Sequence, residues 1–458
     1  MNNTLYSIAH SWCEPDGRLH STAEILDWVR QRSAETAVEI RKIPLEDCAP
    51  WFYDRAEGCI RNQNRSFFTI PGCKGPGFQQ PIILQDEIGY LGIICREFNG
   101  VMYFLMQAKI EPGNVNCVQI SPTIQATKSN FTQKHGGKKP PYLDYFVNAG
   151  KYEIVVDQIQ SEQSSRFHKK RNRNIILRVE EEIPLLPSHR WMTLGQIKRL
   201  MRADNLVNMD TRTVLSCIPF SKLPLSPAEL LELSDNFSDK PLYRSLFIGE
   251  ETNRLPQAYQ YINNQKMFME EHPALVPLDQ LENWKMQDGE FVCQRPYPFK
   301  VVFCDIAIEG REVRRWTQPL FEATGAATFG LICCEDNGLL KFLVRAASEA
   351  GCFDGLEFGP TIQQEAVESF QKEDGITRFF WKLVEGRKGV QYDHLLSEEG
   401  GRFYHEQNRN VLLRINRSEL PDLPAGYFLL DYRTLNELVQ VNNTLNIQLR
   451  NLLSLLEA

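Results

Sequence analysis

Two polar runs carry the groups from which an active site could be built. In SPTIQATKSNFTQKHGG at 121–137, Gln125, Thr127, Lys128, Ser129 and Asn130 bring amide, hydroxyl and ammonium groups together directly after an apolar approach. Donors and acceptors at fixed positions suit a polyhydroxylated ligand; a solvated loop is the plainer alternative. In DQIQSEQSSRFHKKRNRN at 157–174, the carboxylate of Glu162 precedes His168, Lys169, Lys170, Arg171 and Arg173. Clustered cations near hydroxyl and amide groups suit a pyrophosphate, through charge-assisted hydrogen bonds, or else form a solvated basic face. Trp51 is either core or a flat face for a nucleobase, where stacking is worth roughly 1–3 kcal/mol.

These runs sit inside a pattern that the chain carries twice. PTIQ occurs at 122–125 and at 360–363, an offset of 238. SEQSSRF at 161–167 returns as SEEGGRF at 397–403, and RNRNIILRV at 171–179 returns as QNRNVLLRI at 407–415. Upstream, PLEDCAPW at 44–51 answers PLDQLENW at 277–284, so Trp284 matches Trp51. The shared tetrapeptide reads as scaffold, and the divergent Lys128-Ser129-Asn130 as specialised. Glu162 has its equivalent in Glu398, and Arg166 in Arg402; the preserved carboxylate either caps a turn, pairs with an arginine or acts in catalysis.

Each copy consists of short β-rich runs (YLGIIC, VMYFLMQA, YEIVVD and IILRV in the first) separated by NG, GG and PP punctuation. Helical spacing follows at 191–218 and, richer in leucine, at 427–456, whose apolar excess could pack inside the chain or against a second subunit. This predicts an α+β fold, with a curved mixed sheet flanked by helices in each copy. Without βαβ periodicity a doubly wound parallel sheet is disfavoured. The expected divisions are 1–220, with an N-terminal helical extension, a helical connector at 221–270, and 271–458.

The 458 residues, 42% hydrophobic and 24% charged, are ordinary for globular domains, and the net charge of −7 argues against a nucleic-acid or membrane-surface binder. No signal-peptide pattern and no run of about 18 apolar residues are apparent, which predicts a cytoplasmic protein. The 12 cysteines are dispersed, without CxxC pairs or zinc spacing. There is no GxGxxG opening a βαβ unit, no P-loop, no GxSxG and no HExxH. RVEEEIP at 178–184 is too short for a magnesium-binding glutamate helix, so no metal site is predicted.

PTIQATKSN, HGG, PPYLDYF, VDQIQSEQSSRF, KKRNRN and DNLVNMDTRTVL at 204–215 together resemble the NDP-hexose 2,3-dehydratase family, over nearly the whole chain. The resemblance implies two Nudix-like modules, a homodimer, and a dTDP-linked 4-keto-6-deoxyhexose as substrate. The enzyme would remove the 2-hydroxyl without a cofactor, and a separate NADPH-dependent 3-ketoreductase would take the 3,4-diketo product. In the favoured first copy, Glu162 or His135 would be the base, and Tyr142 or Lys128 the proton donor or enolate stabiliser. Gln125, Thr127, Ser129, Asn130, Phe131, Ser165, Arg171 and Arg173 would hold sugar and phosphates, and Trp51 the thymine. A second nucleotide-sugar pocket would use Trp284, Arg345 (where the first copy has Gln107), Thr361, Ile362, Gln363 and the turn Glu399, Gly400, Gly401, Arg402. The competing readings are a Nudix-type nucleotide-sugar hydrolase and a non-catalytic nucleotide-sugar binder.

Overall fold

The computed structural model describes residues 2–132, 139–250, 254–311, 313–367 and 374–458. The repeated sequence folds into two sheets of seven strands with one topology. In the first, Gly89–Phe98 and Val101–Ile110 form a hairpin across the Asn99-Gly100 turn, where both residues take positive φ (51° and 81°). Arg171–Arg178 runs parallel to Gly89–Phe98 and antiparallel to the edge strand Glu153–Ser161. Val118–Ser121 closes the other edge, while Ile124–Ala126 and His189–Met192 pair with ends of the hairpin. The second sheet repeats this order with Thr328–Asp336, Leu339–Ala347, Glu357–Gly359, Ile362–Gln364, Val390–Ser397, Gln407–Asn416 and Tyr427–Asp431. The predicted α+β class and mixed sheets are therefore found.

The apolar runs are nearly continuous because both faces of each sheet are covered. Ile93 and Ile94 are adjacent, so they point to opposite faces, and neither is exposed to solvent. Thr123 of the first PTIQ motif accepts a hydrogen bond from Ile94 N (2.9 Å) and donates to Leu105 O (2.5 Å), stitching the hairpin together. Thr361 repeats this with Ile332 N (2.8 Å) and Leu343 O (2.5 Å), and Ile362 is packed into the core. These two residues of the expected second pocket are thus scaffold. The C-terminal leucines also pack inward: Leu435, Leu438, Leu449 and Leu452 are fully buried in the chain's own core.

The copies are interlocked rather than merely adjacent. Val38–Ile43 pairs with Phe299–Ile308, and Ala274–Val276 pairs with Gly72–Gly75, so each half lends a strand to the other. The helices Met209–Ser216 and Ile447–Ser454 pack together with all their residues buried. From them, Arg212 Nη2 donates to Ser397 O (2.7 Å) and Arg450 Nη2 donates to Ser161 O (2.5 Å), each reaching the repeated Ser-Glu turn of the opposite copy. Those turns cross over: Gly113 N donates to Gly400 O (2.7 Å), and Gly351 N to Ser164 O (2.7 Å).

The crossing leaves no room for a side chain. A Cβ at Gly113 would lie 1.5 Å from Phe403 O, and one at Gly351 would lie 1.8 Å from Phe167 O. Backbone on both sides must give way to relieve such contacts. Gly113→Ala and Gly351→Ala are each expected to destabilise the chain by about 1–3 kcal/mol, measured by denaturant unfolding. Wild-type stability in both variants would mean that the turns do not cross as described.

Candidate active site

A cavity of about 320 Å³ opens at the end of the first sheet and is closed by residues of both copies. Its floor begins where Val101–Ile110 ends. Lys109 Nζ lies 3.3 Å from Glu111 Oε1 and donates to Gln125 O (3.1 Å). Gln125 Nε2 lies 3.3 Å from both oxygens of Glu111, and Gln125 Oε1 accepts from Asn208 Nδ2 (3.1 Å). Asn208 in turn caps the helix Met209–Ser216 by accepting from Thr211 N (2.9 Å).

That cap sets Asp210 in the first turn of the helix, facing the cavity. Asp210 is 1% exposed, and neither carboxylate oxygen has a hydrogen-bond partner. Burial first, then the neighbouring Glu162, Glu399 and Glu111, hold its carboxyl well above the ordinary range. It is a carboxylic acid that keeps its proton near neutrality, poised to donate it.

Opposite stands Glu162, which accepts from Asn172 Nδ2 (2.7 Å), while Asn172 Oδ1 accepts from Gly89 N (3.0 Å). Burial raises the Glu162 carboxyl, and Lys170 and the Asn172 bond oppose that rise. Lys170 is 5% exposed and donates to the Glu87 carbonyl; burial pulls its ammonium down to about 8. The Glu87 carboxylate anchors the next segment, accepting from Ser129 N (2.9 Å) and Ser129 Oγ (2.7 Å).

The second copy supplies the remaining wall. Desolvation and Glu111 push Glu399 up to about 7, and its Oε1 accepts from Gly401 N (2.9 Å). Arg402 reaches Gln85 Oε1 (3.2 and 3.3 Å) and lies over the Phe68 ring, 4.5 Å from its centroid. Gln318 Nε2 donates to Gly401 O (2.7 Å), fixing the turn from behind. The site thus offers a proton donor, a carboxylate base and two ammonium groups within one partly dry chamber, the equipment of general acid–base chemistry.

A sequence model of the NDP-hexose 2,3-dehydratase family matches residues 22–218 and again 256–456. The chain belongs to that family. It is 37% identical over 466 residues to a dTDP-4-dehydro-6-deoxy-alpha-D-glucopyranose 2,3-dehydratase of Saccharopolyspora spinosa, covering 100% of this chain and 95% of that protein. Proteins of the same name from Streptomyces violaceoruber (35% identical; 95% and 97% covered) and Amycolatopsis orientalis (32% identical; 98% and 93% covered) are also similar. The chain is accordingly a dehydratase, a hydro-lyase. Among the described residues no helix is long and apolar enough to cross a membrane.

The structure brings Gln125, Thr127, Ser129, Asn130 and Glu162 to the dehydratase cavity. Glu399, Gly401 and Arg402 line it too, although the sequence had placed them in a second-copy pocket; the crossing of the turns moves them, and Gly400 forms the crossing bond itself. Lys128 points to solvent from the short helix Lys128–Phe131, and Phe131 packs on Tyr90. Tyr142 is held away from the cavity, donating to Pro184 O (2.8 Å) and packing on His189. The Ser165 carbonyl accepts from Gln80 on the opposite side of the crossing. Arg171 covers Phe353, and Arg173 pairs with Asp157 (2.6 Å).

Trp51 is 3% exposed, packs on Phe68 and donates its ring N–H to Thr317 O (2.9 Å), so it is core rather than a base platform. Trp284, 7% exposed, stacks on Phe291 and donates to Gln79 O (3.1 Å). Arg345 Nη2 lies 3.4 Å from Gln363 O, and Gln363 bridges Glu349 and Asn446 as Gln125 bridges Glu111 and Asn208. His135 lies outside the described residues.

Lys109, Glu111 and Asp210 had not been singled out, and Lys170 had been noted only within a basic cluster. The usable signal was divergence between the copies at charged positions. Equivalent to Lys109, Lys170 and Asp210 stand Ala347, Glu406 and Gln448. Shared residues hold the frame, and unshared charges collect in one cavity.

Because Asp210 is harder to ionise folded than unfolded, it costs stability once the unfolded chain's aspartate loses its proton, and that cost persists at neutral pH. Asp210→Asn should therefore melt a few degrees higher than wild type at pH 7.5, with the gain shrinking toward pH 4. A lower melting temperature throughout would show that the carboxylate is stabilised by partners.

Proposed function

We propose that the chain removes the 2-hydroxyl of dTDP-4-dehydro-6-deoxy-α-D-glucopyranose, giving the dTDP-linked 3,4-diketo-2,6-dideoxy sugar. The full-length relatives named for that substrate support it. The observation that carries the placement of the chemistry is the convergence of Lys109, Lys170 and Asp210, all absent from the second copy, on one cavity.

The ketone at C4 acidifies the hydrogen on C3. Glu162, oriented by Asn172, takes that proton, and charge develops on the C4 oxygen. Lys109 and Lys170 donate to this enolate, where preorganised donors are most effective. Asp210 gives its proton to the departing 2-hydroxyl, which leaves as water. The resulting C2–C3 enol tautomerises: Glu162 returns its proton to C2, and the enol hydroxyl returns one to Asp210. Both carboxyls end as they began, and no electron is gained or lost. Repulsion between Glu162 and Asp210 favours one shared proton, so ionisation of one assists protonation of the other.

The surrounding reading follows the family resemblance: two Nudix-like modules at 1–220 and 271–458 joined by a connector at 221–270, a homodimer in the cytoplasm, and a 3-ketoreductase that consumes the product. The repeated mixed sheet supports the modular part of it.

The test is incubation with dTDP-4-keto-6-deoxyglucose and EDTA, with 3-ketoreductase and NADPH as a trap, followed by mass. The expected result is loss of one water and gain of two hydrogens. Release of dTMP only when magnesium replaces EDTA would make the protein a hydrolase instead. Glu162→Gln and Asp210→Asn should each lower kcat by about 100-fold or more with the fold intact. Full activity in either would move the base or the acid elsewhere.

A further inference from the structure

The catalytic groups occupy one end of the cavity, and its mouth has a different character. There Arg315–Ala323, a strand of the second copy, presents Trp316, and the first copy presents Phe67. Neither was singled out in the sequence, and neither takes part in the proton transfers.

Trp316 is half-buried and held in one orientation. Its ring N–H donates to Gln318 Oε1 (2.9 Å), and Gln318 Nε2 continues to Gly401 O (2.7 Å), beside Arg402. With the ring N–H occupied, Trp316 can offer a ligand only its apolar faces and edge. The preceding hairpin tip is pinned across the cavity by Arg311 Nη1, which donates to Ile110 O (2.8 Å) of the first copy.

Phe67 has φ of 73°, a conformation that a bulky side chain rarely adopts and that surrounding structure must enforce. Its neighbour Phe68 lies under the Arg402 guanidinium, and Trp51 backs both rings from the core (6.4 and 4.7 Å). The strain therefore turns an aromatic ring toward the mouth beside a cation. In the second copy Arg166 covers Phe299 in the same way (4.2 Å), and the residue before it is Pro298. The position matching Trp316, two residues before the glutamine that bonds the turn, is Phe78. The pair Phe67 and Trp316 belongs to the first copy's cavity alone.

We propose that Phe67 and Trp316 are the two faces between which the nucleobase of a nucleoside-diphosphate sugar stacks, with Arg402 on the diphosphate between base and sugar. This rests on the reading of the cavity as a nucleotide-sugar site. It assigns recognition of the base to stacking, which every base can satisfy through its π-face.

The test is titration calorimetry of the full-length protein with dTDP and, separately, with inorganic pyrophosphate. Trp316→Ala should weaken dTDP about tenfold or more, while pyrophosphate stays within about twofold and Trp316→Phe within about threefold for dTDP. Phe67→Gly removes the second ring at a backbone conformation that glycine adopts freely, so it keeps the fold and should weaken dTDP similarly. Unchanged dTDP binding in both Trp316→Ala and Phe67→Gly overturns the stacking proposal. Equal loss of pyrophosphate in Trp316→Ala also overturns it, because the ring would then act through the Arg402 turn. A wild-type chain that binds no dTDP and performs no dehydration instead removes the functional reading beneath it.

Discussion

The fold depends on two buried arginines that each bond the opposite copy's backbone. Arg212 and Arg450, 2% and 0% exposed, carry charge into a region that excludes water. Such a charge is tolerable only where carbonyls take the place of hydration. Arg450 meets Ser161 O and Leu445 O (2.6 Å), and Arg212 meets Ser397 O and, at longer range, Asn208 O (3.4 Å). These bonds fix where the two Ser-Glu turns lie, and through them where Glu162 and Glu399 stand. The helix carrying Asp210 is the helix carrying Arg212, so acid and frame are set by one element.

Duplication explains how an asymmetric site grew on a symmetric frame. The bonds that recur in both halves are geometric: Asn172 to Glu162 and Asn408 to Glu398, each 2.7 Å, and the glutamine bridges behind them. The differences are electrostatic. Where the first copy has Lys170, the second has Glu406, whose burial raises it to about 8 and whose partner in charge is Arg166. Arg166 is bound in turn by Glu365 (3.0 Å), in the place of Thr127. One half thus gathers ammonium groups and a protonated acid, and the other neutralises its charges internally.

Much of the fold was legible because it is local and repeated. YLGIIC, VMYFLMQA, YEIVVD and IILRV all lie in strands, and the duplication predicted two sheets of one design. The site was less legible for a tertiary reason. Glu399 and Arg402 lie far along the chain from Lys109 and Asp210, and nothing local announces that their turn crosses into the other half. Trp51 and Tyr142 carry polar handles that suggest ligands, yet each handle meets a backbone carbonyl. Lys128 sits within the specialised run but on the outer side of its short helix. Asp210 had only its difference from Gln448 to mark it.

The interlocking has a consequence for the chain's birth on the ribosome. The first sheet is synthesised early, but Ser161 receives its arginine only when Ile447–Ser454 has been made and docked. The wall bearing Glu399 likewise waits for the second half. A nascent first half therefore holds reactive carboxyls and lysines without the geometry to use them, and competence is acquired in a single late event.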